Sequence, residues 1–528
     1  MEREWWVIVA RIDPNTKLLK GITKERFVVS QIRKWLREYP IIMLSGPRKV
    51  GKTTALLQLA VESANVGAEY LNCAYEADIR RLDELIVRDF SGLLLIDEFQ
   101  MLDDPNSYMH TFTNIGGQDR NFKVVITGSV VAYTRYIAQM KGGGRNKLLH
   151  VPLLTYLEYL YFTEKIPNYT IDLSRFDYGD SFIDYMTLKN LHGFMLPLID
   201  VEYTIDAAIE INIARRVSPY LISLLNSNED DIQRALLLLA HRLTYMWNYR
   251  KTFYDPLIGN REISNTSISN SLRNMNVFAN FSVWKATHPF MTGSQIEESL
   301  RYILWSDLAF CNFVERDINS KLDDSFLSGL YLGKPLYEDE LQKLFSNVVQ
   351  VYITNPLWYS VIAEELWILL EDSVLVPNNV EKPVFRKLAN LLKNRNSFLR
   401  DPNLMGNWVE AYLRGAYALL CFTPMKTTSF QNETGREIDI ARGFPKNLLI
   451  EVAIKTEEKK EKDVNFHLAY TGNERCFLTT QNTLDKVVWN KVPICRIPYS
   501  MLAAFLDRGE IPDEKILLDV CSSRINCL

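Results

Sequence analysis

The stretch that decides the fold is Gly46-Pro47-Arg48-Lys49-Val50-Gly51-Lys52-Thr53-Thr54. It matches the phosphate-binding loop pattern G-x-x-x-x-G-K-[ST] at every fixed position. The apolar run at 41–44 predicts a buried strand before the loop, and the run at 55–60 predicts a helix after it. This context points backbone N–H groups and a helix N-terminus at phosphate oxygens. We therefore expect all nine residues to bind a nucleotide, with Lys52 on the β- and γ-phosphates and the Thr53 hydroxyl on Mg²⁺.

Composition narrows the class of protein. The chain has 528 residues and a net charge of −4, so it offers no general attraction to nucleic acid or anionic membranes. Its length suggests roughly three or four domains. Its seven cysteines form no C-x-x-C pair, so neither a zinc site nor a disulfide framework is expected. With no apolar run of ~18 residues and no signal-peptide pattern, the sequence predicts a cytoplasmic protein without a membrane span.

A second motif places two carboxylates at the end of another predicted strand. Four apolar residues, Leu93 to Ile96, are followed directly by Asp97 and Glu98. The carboxyl ends of buried parallel strands meet at one edge of a sheet, where ligands bind. We expect Asp97 to hold Mg²⁺ and Glu98 to polarise the attacking water beside the γ-phosphate.

Two weaker features downstream add groups that a nucleotide site could use. The run at 122–126 predicts a third strand, and Thr127 or Ser129 at its end would contact the γ-phosphate or the water. Arg145 follows the glycine run 142–144, and an arginine on a mobile loop can bring positive charge to a transferring phosphoryl group. An ordinary surface loop explains the same run equally well.

The order of these motifs resembles the AAA-superfamily ATPases of the archaeal ATPase group, found in archaea and bacteria. The family's G-P-R-x-x-G-K-T-T loop, D-E-x-Q strand end and T-G-S-S third-strand end have counterparts at 46–54, 97–100 and 127–130, with Val130 in place of the last serine. Its Gly-Arg pair and P-L-S-F-x-E-F-like segment have counterparts at 144–145 and 152–159. The resemblance implies an α/β fold with a parallel P-loop sheet, ATP hydrolysis, and a nucleotide-sensing or finger role for the arginine of that pair.

The resemblance also predicts the order of the domains. The predicted segments are an N-terminal extension (1–24), a P-loop AAA-like ATPase domain (25–165), a helical lid (166–225), a winged-helix-like region (226–315), an insertion of unknown fold (316–400) and a restriction-endonuclease-like domain of the PD-(D/E)xK class (401–528). A winged helix can place a helix in a DNA groove, although many such modules only pack domains together. DNA binding by this region therefore stays open.

The last segment carries candidates for a second metal site. A predicted helix presents Glu410, and two predicted hairpin strands present Asp439 and Glu451. Three carboxylates of this kind can hold Mg²⁺ and activate water against a phosphodiester. Nucleases of this class have a lysine two residues after the glutamate, where this chain has Ala453; Lys455 lies two residues further, on the same strand face. An active nuclease and an inactive nuclease-like fold are both compatible with this pattern.

Three functions are compatible with the sequence. The first is a Mg²⁺-dependent, ATP-hydrolysing molecular switch that associates with DNA. The second is a Mg²⁺-dependent DNA nuclease gated by the nucleotide domain, and the third is a nucleotide-regulated scaffold whose nuclease-like domain is inactive. ATP and ADP are the expected ligands in each case. A homo-oligomer in which a neighbouring subunit completes the ATP site is compatible with all three.

Overall fold

The structure is a computed structural model of the 528-residue chain. It describes residues 24–46, 50–63, 67–88, 90–119, 121–128, 144–171, 178–186, 309–315, 349–353, 402–420, 426–431, 436–441, 448–453 and 464–512. These residues fall into two compact units, the first reaching Glu158 and the second beginning at Tyr159. Most of the predicted N-terminal extension, lid, winged-helix-like region and insertion lies outside the described residues.

The first unit is built on five parallel strands. They are β1 (Ile41–Ser45), β2 (Ala68–Asn72), β3 (Leu93–Asp97), β4 (Lys123–Thr127) and β5 (Asn146–His150). Their order across the sheet is β2-β3-β4-β1-β5, and every neighbouring pair runs parallel. The three strands predicted from apolar runs, now β1, β3 and β4, are confirmed. The first unit therefore has the α/β fold of a P-loop NTPase.

Four helices of the first unit pack on or beside this sheet. They are α1 (Phe27–Leu36), α2 (Lys52–Ser63), α3 (Glu76–Val87) and α4 (Pro105–Gln118). All five residues of β1 are buried, as are four of five in both β3 and β4. Strands covered on both faces have uninterrupted apolar sequences. This burial explains why short apolar runs were enough to predict the three central strands.

The chain between β3 and α4 is fixed by local structure. A single 3-10 turn, Phe99–Met101, follows the strand. Helix α4 then begins after Asp104, whose carboxylate accepts a hydrogen bond from the backbone N–H of Ser107 at 3.2 Å. Pro105 occupies the first helical position, where its missing N–H would have had no partner in the helix. The cap contributes about 1 kcal/mol to the helix and holds the segment after β3 close to the sheet edge.

Among its described residues, the second unit contains two further sheets. Their strands are β6 (Ala309–Glu315), β7 (Val349–Ile353), β8 (Lys426–Gln431), β9 (Glu437–Ile438), β10 (Ile440–Ala441), β11 (Leu448–Glu451), β12 (Arg475–Thr480), β13 (Asp485–Trp489) and β14 (Val492–Pro498). The orders are β7-β6-β8-β9 and β10-β11-β12-β14-β13. β10 pairs antiparallel with β11, which is the pairing that the predicted hairpin requires. β6 lies in the predicted winged-helix-like region and β8 in the predicted nuclease-like domain. Their parallel pairing therefore places strands from two predicted domains in one sheet.

Helices complete the second unit. They are α5 (Tyr156–Phe162), which begins at the end of the first unit, α6 (Tyr178–Met186), α7 (Pro402–Leu420) and α8 (Tyr499–Asp507). The Phe182 ring of α6 lies 5.4 Å from the Tyr412 ring and 5.5 Å from the Tyr499 ring, measured between centroids. The described helix of the predicted lid therefore packs on the C-terminal helices. Among the described residues, no helix has the length and apolar character needed to cross a membrane.

Candidate nucleotide-binding site

The motifs of the first unit meet at the carboxyl edge of its sheet. Gly46 directly follows β1, Thr127 ends β4, and Asp97 ends β3. These strands are neighbours in the order β1, β4, β3, and adjacent strands are ~4.8 Å apart, so the start of the loop at Gly46 and the end of β3 at Asp97 are about 10 Å apart across the sheet. The chain leaves β1, crosses to β2 at the far edge of the sheet, and then returns through β3 and β4 toward β1. Ligand sites of open α/β sheets form at such reversals of strand order.

Glycine is required at the two fixed positions of the loop for different structural reasons. Gly51 has a φ of +91°, a conformation that only glycine adopts at little cost. A Cβ at Gly46 would collide with the carbonyl oxygen of Val151, so the first glycine permits a close approach of two backbone segments. Lys52 is buried, and its Nζ donates a hydrogen bond to the Gly46 carbonyl oxygen at 2.7 Å. The predicted ligands Pro47 to Lys49 lie outside the described residues.

Asp97 is held by three neutral hydrogen-bond donors. They are the hydroxyl of Thr53, the hydroxyl of Tyr70 at 3.1 Å and the backbone N–H of Glu98 at 3.0 Å. The Asp97 side chain is 3% exposed. Burial, together with the nearby charge of Glu98, raises the pKa of Asp97 to about 6, against the opposing effect of the three hydrogen bonds. The carboxylate is thus fixed in place while its negative charge stays destabilised.

Glu98 has a strained backbone at the end of β3. Its φ of 51° and ψ of 43° are left-handed, which costs a residue with a Cβ about 1–2 kcal/mol. Strain of this kind concentrates at functional sites. The Glu98 carboxylate is half-buried and accepts a hydrogen bond from Nε2 of buried Gln100, two residues further on. The structure therefore joins the Glu and the Gln of the D-E-x-Q pattern to each other.

Thr127 presents a buried hydroxyl to this edge. The residue is fully buried, and in the part of the chain that the structure describes its Oγ1 has no hydrogen-bond partner. Leaving a buried polar group unsatisfied costs about 1–3 kcal/mol. A polar ligand at the carboxyl edge of β4 would supply the missing partner.

Arg145 lies away from its own P-loop. It directly precedes Asn146, which pairs with Ile41 at the opposite, amino edge of the sheet. The P-loop begins five residues further along β1, about 16 Å away. The exposed Arg145 donates a hydrogen bond from Nη1 to the carbonyl oxygen of Thr113 at 2.9 Å, in the last turns of α4, where a cation is favourable. The structure therefore does not bring Arg145 together with Lys52, Asp97 and Glu98.

Sequence reasoning missed a buried ion pair beside the loop. Arg26 and Glu158 are 3% and 1% exposed, and they meet at 2.5 Å between Nε and Oε1 and 2.8 Å between Nη2 and Oε2. Arg26 also donates to the carbonyl oxygens of Val50, within the P-loop, and of Pro152 at 3.0 Å. Glu158 lies in the segment 152–159 that carries the family resemblance, whereas no sequence motif contains Arg26.

The second predicted metal site is only partly assembled. The hairpin of β10 and β11 brings Asp439 close to Glu451, because Asp439 Oδ2 accepts a hydrogen bond from the backbone N–H of Val452 at 2.7 Å. Glu451 is 6% exposed. Lys455 lies outside the described residues, so the displaced lysine of the sequence pattern stays a prediction.

A buried arginine lies within this second group of acidic residues. Arg414 is fully buried, and its Nη2 lies 2.7 Å from Glu410 Oε1 and 3.9 Å from Glu437 Oε1. Burial raises the pKa of Glu410 to about 7, with Asp439 and Glu437 adding to the effect and Arg414 opposing it. Among the described residues, no group of three or more His, Cys, Asp and Glu side chains is arranged to hold a metal ion.

The strand order, the glycine loop and the buried Asp97 define the first unit as a P-loop nucleotide-binding domain. Residues 38–160 match the model of a family described as an AAA domain, so this part of the chain is similar to AAA domains. The match covers β1 to β5, together with Asp97 at the end of β3 and Glu98 directly after it.

Similar proteins add little beyond this class. Uncharacterised proteins of Mycobacterium bovis and Mycobacterium tuberculosis are each 31% identical over 97 residues, which is 17% of this chain and only 20% of theirs. A Walker-type ATPase of Pyrococcus abyssi aligns with 53% of this chain and 89% of its own at 14% identity and a TM-score of 0.28. DnaA of Aquifex aeolicus, bound to AMPPCP, aligns with 52% of this chain and 85% of its own at 15% identity and a TM-score of 0.25. Likenesses this weak do not carry a function over.

Proposed function

We propose that the first unit binds ATP with Mg²⁺ and hydrolyses it at the carboxyl edge of its sheet. The observation that carries this proposal is the hydrogen bond between the Thr53 hydroxyl and the Asp97 carboxylate. It joins the last part of the P-loop to the end of β3. A hydroxyl and one carboxylate are the protein ligands that Mg²⁺ uses when phosphates and waters supply the others.

The residues present fit Mg²⁺. Asp97 is buried and its raised pKa of about 6 reflects a negative charge that a cation would stabilise. A site of this type contains a single carboxylate and a hydroxyl, so it does not need three acidic ligands. When bound, the ion supplies positive charge to the phosphates. Thr53 and Asp97 are the residues that would hold it.

Lys52 and the loop would bind the phosphates. In the structure the Lys52 ammonium group is bonded to the carbonyl oxygen of Gly46. Phosphate oxygens are stronger acceptors for a charged donor than a carbonyl oxygen, so the ammonium group would exchange one partner for the other. Backbone N–H groups of the loop, which every residue from 46 to 54 except Pro47 possesses, would surround the same phosphates.

Glu98 would accept a proton from the attacking water. A general base must lie within hydrogen-bond reach of the proton that it takes, and Glu98 is half-buried at the edge where the phosphates would lie. Thr127 would orient the water or the γ-phosphate through its unsatisfied hydroxyl. Because Arg145 lies at the other edge, a finger role for it would require the site of a neighbouring subunit.

A pair of variants tests hydrolysis. We expect Glu98→Gln to slow ATP turnover about 100- to 1,000-fold while binding of Mg²⁺ and ADP changes little, because only the proton acceptor is lost. We expect Lys52→Ala to lose binding itself. Glu84→Gln, on the exposed face of α3, is the control and should behave as the parent protein. Turnover of Glu98→Gln at the parent rate would show that Glu98 is not the base.

Association with DNA is the finer part of the proposal, and only the family resemblance of the sequence supports it. Between the two roles of the nuclease-like segment, the buried Arg414 beside Glu410 favours a segment without metal-dependent cleavage. The test is an ATPase assay with single-stranded, duplex and branched DNA, read together with cleavage on agarose. Stimulated turnover without cutting would support a DNA-associated switch. Mg²⁺-dependent cutting would support a gated nuclease. If DNA neither stimulates turnover nor is cut, the result would support a nucleotide-regulated scaffold.

A further inference from the structure

We propose that Arg26 and Glu158 are positioning residues that preset the P-loop for phosphate. The proposal rests on nucleotide binding as proposed above and adds two residues to which the nucleotide motifs assign no role. Neither side chain has to touch the nucleotide. They act through the backbone of the loop.

Arg26 joins three parts of the first unit that are distant in sequence. It precedes α1, and its guanidinium donates to Val50 in the P-loop, to Pro152 after β5 and to Glu158 at the start of α5. Such a planar fork can serve several acceptors at fixed angles, which a lysine cannot. The guanidinium therefore fixes the direction of the Val50 carbonyl group.

Glu158 fixes the guanidinium in turn. Its two carboxylate oxygens receive both ends of the Arg26 fork, and they also accept the backbone N–H groups of Phe27 at 2.9 Å and Thr155 at 3.1 Å. The N–H of Glu158 donates back to the Thr155 hydroxyl at 3.3 Å, so the two residues form a capping box at the start of α5. Several hydrogen bonds, in addition to the ion pair itself, therefore stabilise the buried charges of Arg26 and Glu158.

The link from Arg26 to the phosphates is the planar peptide bond. In a trans peptide, the carbonyl of one residue and the N–H of the next point in opposite directions. Holding the Val50 carbonyl toward Arg26 therefore turns the N–H of Gly51 to the opposite side. Gly51 is a fixed position of the motif, and its N–H belongs to the set that binds phosphate oxygens.

The next peptide of the loop is fixed as well. The carbonyl oxygen of Gly51 accepts the N–H of Ala55 at 3.0 Å, the first hydrogen bond of α2. Gly51 itself has a φ of +91°, so its two flanking peptide planes are set in an orientation that few residues reach. With Arg26 on one plane and α2 on the other, the loop binds phosphate without first having to order its own amides.

A purely structural ion pair and a positioning pair predict different results. If the pair only stabilised the domain, its removal would weaken all nucleotides alike or unfold the protein. If it orients the Gly51 N–H, its removal would weaken binding of ADP, which presents two phosphates to the loop, more than binding of AMP, which presents one. The ratio of the two dissociation constants is therefore the decisive quantity.

The main variant is Arg26→Met with Glu158→Gln in the full-length protein. Removing both charges avoids leaving a buried ion unpaired, which would be strongly destabilising, and the introduced glutamine can still accept a hydrogen bond from Phe27 or Thr155. The control is Arg81→Met with Glu69→Gln, which removes another arginine fork on glutamate, formed between α3 and β2. Binding of ADP and AMP with Mg²⁺ is measured by calorimetry or fluorescent competition, and folding by thermal unfolding.

We expect the main variant to bind ADP about 10-fold or more weakly, as for loss of a hydrogen bond to a charged group, and AMP less than about 3-fold more weakly. The control should bind both as the parent does. Arg26→Lys, which keeps the charge but loses the fork, should be intermediate and decides the matter if the double variant does not fold. Parent-like ADP binding, or an equal loss of ADP and AMP, would overturn the proposal. Failure of the parent protein to bind ADP at all would instead overturn the proposed function.

Discussion

Two groups of carboxylates in this chain differ in what balances their charge. At the end of β3, Asp97 is buried among neutral donors, the hydroxyls of Thr53 and Tyr70 and one backbone N–H. In the second unit, Glu410 and Glu437 lie beside the fully buried guanidinium of Arg414. In the first arrangement the Asp97 charge has no cationic partner among the three donors and is available to a bound cation. In the second arrangement the chain itself supplies the cation, Arg414. Acidic residues at a strand end therefore do not define a metal site until the nearest cation is known.

The largest effect that separates the two groups is expected from Arg414→Met. Removing the fully buried cation leaves the partly exposed Glu410 and Glu437 without a partner, and breaking such a pair costs at most about 3–5 kcal/mol, the range for fully buried pairs. Chemical unfolding would measure the loss. Adding Glu410→Gln should recover much of it, while Arg496→Met, which breaks the more exposed pair with Asp485, should cost about 1 kcal/mol or less. An Arg414→Met protein as stable as the parent would contradict the claim that Arg414 balances the charge of the second group.

The next largest effect is expected on activity, from Asp97→Asn. Loss of the charge that the cation requires should slow ATP turnover at least about 100-fold and remove its dependence on Mg²⁺ concentration. Asp439→Asn is the matched change in the second group and should leave turnover within about 2-fold of the parent. Equal losses from both variants would mean that the two groups are functionally connected.

Asp97→Asn should also stabilise the nucleotide-free protein. The folded pKa of Asp97, about 6, lies above the ordinary value of 3.8, so folding favours the protonated form. The penalty for the buried charge is absent below about pH 4, grows as the pH rises to about 6 and stays constant above. We expect the variant to gain about 3 kcal/mol at about pH 7.5 and nothing at about pH 4. Denaturant unfolding across this pH range checks the sign, and a gain that shrinks with rising pH would refute it.

The smallest effect is expected from Tyr70→Phe. The Tyr70 hydroxyl is one of three donors to Asp97, and losing it should raise the pKa of that carboxyl further. ADP binding in the presence of Mg²⁺ should weaken about 3-fold at about pH 6 and less at about pH 8, where Asp97 is charged in either protein. Calorimetry at the two pH values measures the difference, and an equal change at both would exclude a link through protonation.

The sequence predicted those parts of the site that depend on neighbours in the chain. Lys52, Thr53 and Asp97 follow strands that are apolar because they are buried, so motif and fold were visible together. The position of Arg145 was not predictable, because a glycine run shows mobility but not the sheet edge at which the chain re-enters. The pairs of Arg26 with Glu158 and of Arg414 with Glu437 are contacts made only in the folded chain. Single charged residues without a motif give no signal of such contacts.

The pairing of β6 with β8 has a consequence for how the chain can be made. Residues 311–315 form a parallel ladder with residues 426–430, more than a hundred positions later. During synthesis β6 leaves the ribosome long before β8. Until β8 is made, the backbone N–H and C=O groups on the edge of β6 that pairs with β8 have no partner strand. Contacts so far apart in sequence form slowly, and waiting strand edges favour association between chains. We therefore expect expression at low temperature or with chaperones to raise the yield of folded protein more than it does for the P-loop unit alone.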